Sequence, residues 1–145
     1  MNRQLITFEV ESQTFGIDIM SIREIRAWSP TTRLPRVPHY VAGVVNLRGI
    51  VLPVLDLASR LGWNNAQPGE RHVIIVAEVN GQLKGLIVDA VQDIVTIALA
   101  DIQPPPTTGD AVVPFLEGLA SMEDRMIMVL DLSAVTDEVE LPQAA

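Results

Sequence analysis

The chain has 145 residues, no cysteine and a formal net charge of −8, a length that suits one domain. The missing thiols exclude a disulfide scaffold, a zinc ribbon and thiol catalysis. Lys84 is the sole lysine and aromatics make up 4% of the chain, so the clustered cations and stacking platforms that nucleic-acid binding requires are absent.

The start, MNRQLITFEVES, turns acidic too soon to supply the apolar core of a secretory signal, and no apolar run reaches the ~20 residues of a spanning helix. A cytoplasmic protein is expected. Ile6, Phe8 and Val10 alternate with Thr7, Glu9 and Glu11, which predicts a half-buried strand. A turn at Ser12 and Gln13 leads into Phe15, Ile17 and Ile19, completing a hairpin. Gly43 and Gly49 bracket Val44 to Arg48 as the ends of a strand. Pro53 lacks an amide donor, which predicts an edge strand or a bulge there. Val44, Leu47, Val51, Val54 and Leu57 are expected in the core. A helical turn from Leu57 to Leu61 is closed by Gly62, and a polar connector runs from Asn64 to Glu70.

Val73 to Val79, the type I′ dipeptide Asn80-Gly81 and a long apolar return from Leu83 to Ile97 predict a second hairpin. Pro104-Pro105-Pro106 opens an extended loop to about Asp110. Leu132 to Val135 forms another helical turn, with Asp56 and Asp131 expected to cap the two turns. Leu141 to Ala145 is a loose tail.

The chain also repeats itself. Glu9, Val10, Gln13, Gly16 and Ile25 recur 69 positions on as Glu78, Val79, Gln82, Gly85 and Ile94, and Glu24 falls on Asp93. At an offset of 75, Gly43 falls on Gly118 and Val54-Leu55-Asp56-Leu57 on Val129-Leu130-Asp131-Leu132. This is the pattern of a diverged tandem duplication. Two small β-barrels packed together are the natural architecture.

Motifs for chemistry are missing. His39 and His72 are not spaced as a metal pair, and no nucleophile elbow, phosphate loop or dinucleotide fingerprint is present. The carboxylates of Glu123 and Asp124 fall in an apparent turn, where solvation accounts for them. A distant alternative, a small hydrolase, would need His39, Asp56 and Ser59 to converge.

From Val37 the sequence runs VPHYVAGVVNLRGIVLPVLDLASRLG. Its core, G-V-V-N-L-R-G-x-x-x-P-V-x-D-L, closely resembles the signature of the CheW family of chemotaxis coupling proteins. The likeness extends to the opening hairpin, Ile22 to Ile25, Pro35 and Pro38, Arg71 to Val91, and Gly118 to Leu132. It implies a mainly β fold of two five-stranded, SH3-like barrels with short helices. One domain would cover residues 1–145, with pseudo-repeats over about 5–62 and 72–137 and room for strand exchange between them. It also implies a non-enzymatic adaptor without cofactor or metal. Its partners would be the cytoplasmic tip of a methyl-accepting chemoreceptor and the regulatory domain of a CheA-like histidine kinase, with recruitment to membrane-associated receptor arrays. An adaptor of a twitching or other chemosensory pathway would look the same.

By resemblance, the receptor- or kinase-binding residues are Glu24, Arg26, Gly43, Asn46, Arg48 and Gly49. Arg48 and Glu24 admit two readings, direct contact with a partner or a pair that holds the Gly43 to Gly49 segment. Trp28 is an anchor or a core residue, and Asn46 caps the turn or faces the partner. The echo at Gly118 to Leu132 keeps the apolar pattern and lacks N-L-R-G, which points to binding on the first half.

Overall fold

The computed structural model describes residues 1–63, 68–105, 113–122 and 124–136. Positions 64–67 of the connector, the loop from Pro106 to Asp110, Glu123 and the tail from Leu141 lie outside the described residues. The first hairpin joins β1 (Asn2–Val10) to β2 (Gln13–Asp18). Its turn is Glu11-Ser12, both at positive φ, one residue earlier than expected. Then follow β3 (Ile22–Ala27), β4 (Val41–Leu47), β5 (Ile50–Asp56) and α1 (Leu57–Arg60). The later part contributes β6 (Val73–Val79), β7 (Gln82–Val88), β8 (Ala90–Ala98), β9 (Ile102–Gln103), β10 (Leu116–Met122), β11 (Arg125–Leu130) and α2 (Leu132–Thr136). No helix among the described residues is long and apolar enough to cross a membrane.

The strands form two sheets, ordered β3-β6-β7-β5-β4 and β8-β1-β2-β11-β10-β9. Each is drawn from both expected pseudo-repeats. The β6–β7 hairpin of the second repeat sits among strands of the first, and the β1–β2 hairpin of the first sits among strands of the second. Adding 69 to the hairpin and β3 positions, and 75 to β4 and β5, converts one strand order into the other. Register follows: Val54 lies opposite Gly85 in parallel β5–β7, and Val129 opposite Gly16 in parallel β11–β2. The architecture is the expected pair of SH3-like barrels, with one sheet of six strands. The sixth, β9, occupies the place that a lone Thr32–Val44 bridge takes in the other sheet.

Three apolar clusters follow. Val45, Leu47, Leu52, Val54, Ile74, Val76 and Ile87 fill the five-stranded sheet, while Leu5, Val95, Ile97, Ala120, Ile127 and Val129 fill the other. The largest lies between them, around Phe8, Phe15, Ile17, Leu55, Leu57, Ile75 and Leu86. This corrects the half-buried reading of β1. A strand in mid-sheet with a core on each face is buried on both, and Thr7 is fully buried, its hydroxyl tied to Asp93. Phe15 is wholly buried, with ring centroids 6.1 Å from Phe8 and 6.0 Å from Trp63. Phe15→Ala is expected to cost about 3–5 kcal/mol, read as a lower denaturant midpoint at unchanged slope.

The expected return from Leu83 to Ile97 breaks at Asp89, where the chain leaves one sheet for the other. The Asp89 amide donates to the Glu9 carbonyl (2.9 Å) and its carboxylate accepts from the Glu11 amide (2.8 Å), so the crossover is tied to the first hairpin. His72 is buried, with Nε2 3.3 Å from Asp89. Gly62 closes α1 as expected: its amide donates to Ser59 (3.1 Å) and that of Trp63 to Ala58 (2.9 Å), the Schellman pattern. Asp131 caps α2 through the amides of Ser133 and Ala134, whereas the side chain of Asp56 does not cap α1.

Arg60 joins the halves. Its guanidinium lies 4.3 Å from the Tyr40 ring and 4.6 Å from that of Phe115, positions 75 apart. It also donates to the carbonyls of Val135 (2.7 Å) and Ala134 (3.2 Å), a planar fork suited to stacking and hydrogen bonding at once.

Candidate functional site

The N-L-R-G motif folds as the turn between β4 and β5. Leu47 pairs with Ile50, leaving Arg48 and Gly49 as a two-residue loop at φ 49° and 87°, the left-handed pair that a type I′ turn needs. Asn46 secures it: its side-chain oxygen accepts from the Gly49 amide at 2.8 Å. Gly49 is thus a turn residue, and Asn46 serves as its clasp.

β3 and β4 are the two edges of the five-stranded sheet. The sheet curls enough for Arg48, at the tip beyond β4, to donate to Glu24 of β3 at 2.9 Å. Glu24 lies opposite Val76 and Arg26 opposite Ile74, both core positions, so Glu24 and Arg26 rim the open end of this barrel. Trp28 packs against the same cluster, as an anchor of the barrel. The Arg48 side chain stays 74% exposed while that of Glu24 is 29% exposed. The pair of the structural reading is therefore present, and its arginine still faces solvent.

Arg48 holds the Glu24 carboxyl below the ordinary glutamate range, through its hydrogen bond and its charge, and Arg26 adds to the effect. A folded-state value below the unfolded one means stabilisation above pH about 4.3, lost as pH falls through the folded value. Glu24→Gln is therefore expected to flatten the acid limb of the stability curve. The two proteins should differ at pH 7 and converge once the pH is taken below the folded value, which thermal unfolding at a series of acid pH values measures.

Gly43 is not a strand end. It lies within β4 at a bulge between Val41 and Gly43, and a Cβ there would come within 2.3 Å of the Thr32 carbonyl oxygen. Pro53 is not on an edge, since β5 lies between β7 and β4. Its missing donor goes unneeded: Val44, opposite Pro53, turns its amide and carbonyl to Thr32, both at 2.9 Å, and the β7 ladder starts at Val54.

Sequence reasoning missed the apolar part of the rim. Val51 was expected in the core, yet Val51, Ile50 and Ile25 are exposed. Because Asn46 lies opposite Val51, the alternation turns Val51 outward and gives the interior to Val45, Leu47, Leu52 and Val54. An apolar run without polar gaps does not tell which phase points in; the register of the turn does.

Residues 4–140 match the family described as CheW-like domain. The chain is 48% identical over 140 residues to "Probable chemotaxis protein CheW" of Rhizobium etli, covering 96% of this chain and 90% of the relative. It is 34% identical over 133 residues to "Protein FrzA" of Myxococcus xanthus, covering 90% and 83%. The crystal structure of scaffolding protein TtCheW from Thermoanaerobacter tengcongensis is similar at a TM-score of 0.87 and 33% identity, over 94% of both chains. With the match spanning nearly its whole length and the two-sheet fold shared, this chain belongs to the CheW-like domain family.

Proposed function

We propose that the chain is a non-catalytic adaptor that couples methyl-accepting chemoreceptors to a CheA-like histidine kinase in chemotaxis. It works in the cytoplasm, at membrane-associated receptor arrays, as one domain and without a cofactor. The observation that carries the reading is the exposed Arg48, fixed on Glu24 at a barrel rim beside exposed Ile25, Ile50 and Val51. A fixed charge flanked along its own strands by exposed aliphatic side chains suits docking of an amphipathic helix, where it sets register and specificity more than affinity. Relatives named for chemotaxis at up to 49% identity support the pathway. The relationship to Protein FrzA supports a second reading, the same adaptor serving another chemosensory pathway.

The test is reconstitution. Purified protein, a receptor signalling fragment and a CheA-like kinase from the same genome should form a ternary complex and raise kinase autophosphorylation above the two-component level. Failure to bind either partner would overturn the adaptor reading.

A further inference from the structure

Two hairpins of the five-stranded sheet turn on the same backbone and use different residues to do it. Asn80-Gly81 joins β6 to β7 at φ 53° and 80°, and Arg48-Gly49 joins β4 to β5 at φ 49° and 87°. Asparagine followed by glycine is the pair this turn prefers, because the short polar side chain of asparagine bonds locally and offsets the crowding of a left-handed residue. Arginine lacks that advantage. The Arg48 guanidinium goes instead to Glu24, 24 residues away in sequence.

In the N-L-R-G turn the asparagine stands two positions before the arginine. From there its side-chain oxygen accepts from the Gly49 amide at 2.8 Å and closes the turn from outside. A residue that the turn disfavours thus holds its first position, and a residue that the turn favours braces it from β4. Backbone strain of this kind persists where the surroundings over-determine it, and it gathers at sites that must present one side chain in one place. At the offset of 75 the equivalent residues are Ser121-Met122-Glu123-Asp124, so the other half has neither the brace nor the arginine. Asn46 is itself exposed, on the outer face opposite Val51, which is also where a residue in direct contact with a partner would sit.

We propose that Asn46 is a positioning residue for the Arg48 contact and makes no contact of its own with the partner. Its bond to the Gly49 amide keeps Arg48 left-handed and the guanidinium on Glu24 before a receptor helix arrives, so the helix meets an arginine already in its bound form. Without the brace the turn spreads over other conformations, and only the fraction with Arg48 in place is competent to bind. The inference rests on the reading of Arg48 as a partner contact.

The test measures affinity and rates of a receptor signalling fragment on the full chain as wild type, Asn46→Ala, Asn46→Asp, Arg48→Ala and the double variant Asn46→Ala/Arg48→Ala. Both positions are exposed, so the variants should fold, and thermal unfolding checks each. Asn46→Ala should weaken binding by about tenfold through slower association at unchanged dissociation, because the competent fraction falls while the contacts of the bound state persist. Asn46→Asp keeps an oxygen for the Gly49 amide and should recover most of that loss. The double variant should bind within about twofold of Arg48→Ala, since the brace acts only through the arginine. Losses that multiply in the double variant, faster dissociation of Asn46→Ala at unchanged association, Asn46→Asp as weak as Asn46→Ala, or Asn46→Ala within about twofold of wild type would each overturn the positioning role while Arg48→Ala still weakened binding. Arg48→Ala equal to wild type would instead overturn the reading on which it rests.

Discussion

Replacing Gly43 by alanine is expected to lower the unfolding free energy by about 2–4 kcal/mol, a loss among the larger single-residue effects. The residue sits at φ 142°, and the added Cβ would lie 2.3 Å from the Thr32 carbonyl oxygen and 2.8 Å from its carbon. These are backbone atoms, and they cannot move aside as the end of a flexible side chain can. Thr32 is held there by its two backbone bonds to Val44, at 2.9 Å each, and Thr31 ties in through its hydroxyl to the Ala42 carbonyl at 2.8 Å. Relief therefore requires peeling the Thr31–Thr32 segment from β4 and baring the strand edge. Gly49→Ala is the control: it also has positive φ, at 87°, and nothing lies within 4 Å of its Cβ, so about 1–2 kcal/mol is expected. Denaturant titration of both variants decides the matter. A Gly43→Ala protein within 0.5 kcal/mol of wild type, on the order of ordinary surface substitutions, would show that the segment yields without cost. A binding defect in a Gly43 variant would then report a displaced β4, with no need for direct contact by the glycine.

The second large effect is on binding. Arg48→Glu is expected to weaken receptor engagement by at least about 30-fold, some 2 kcal/mol, with the thermal midpoint within a few degrees of wild type. The stability change is small because ion pairs at exposed positions contribute little. The binding change is large because reversal removes the exposed cation and sets a second carboxylate beside Glu24. The double variant Glu24→Arg/Arg48→Glu separates the two roles of the pair. It restores an intramolecular bond of opposite polarity while presenting an acid to the partner. Binding that stays lost in the double variant identifies Arg48 as a contact; binding that returns identifies the pair as a strut alone. Raising salt should weaken the wild-type complex more than either charge variant.

The apolar alternation of the hairpins, the turn dipeptides and the two offsets were legible because each depends on neighbours within a few residues or on positions compared along the chain. The Asn80-Gly81 turn and the Gly62 helix stop are decided by local backbone preference, and the structure has both. The N-L-R-G motif was legible as a family mark, and Arg48 and Glu24 do meet, 24 residues apart in sequence. Asn46 was open between two roles. Its bond to Gly49 could have been favoured from the Asn-x-x-Gly spacing, since an asparagine oxygen reaches a backbone amide a few residues on.

What the sequence determined by itself is the class of the fold, its duplication and the family to which it belongs. All three rest on patterns read along the chain, within a few residues or at a fixed offset. Only the tertiary structure decided that each hairpin inserts into the sheet of the other half, that β5 is internal despite Pro53, and that Val51 points outward while Thr7 is buried. Strand partners and the phase of an unbroken apolar run depend on which surfaces meet across the two cores, and no local preference encodes that. The offsets align Glu24 with Asp93, but only the folded chain puts Arg48 on the one and Thr7 and Arg125 on the other.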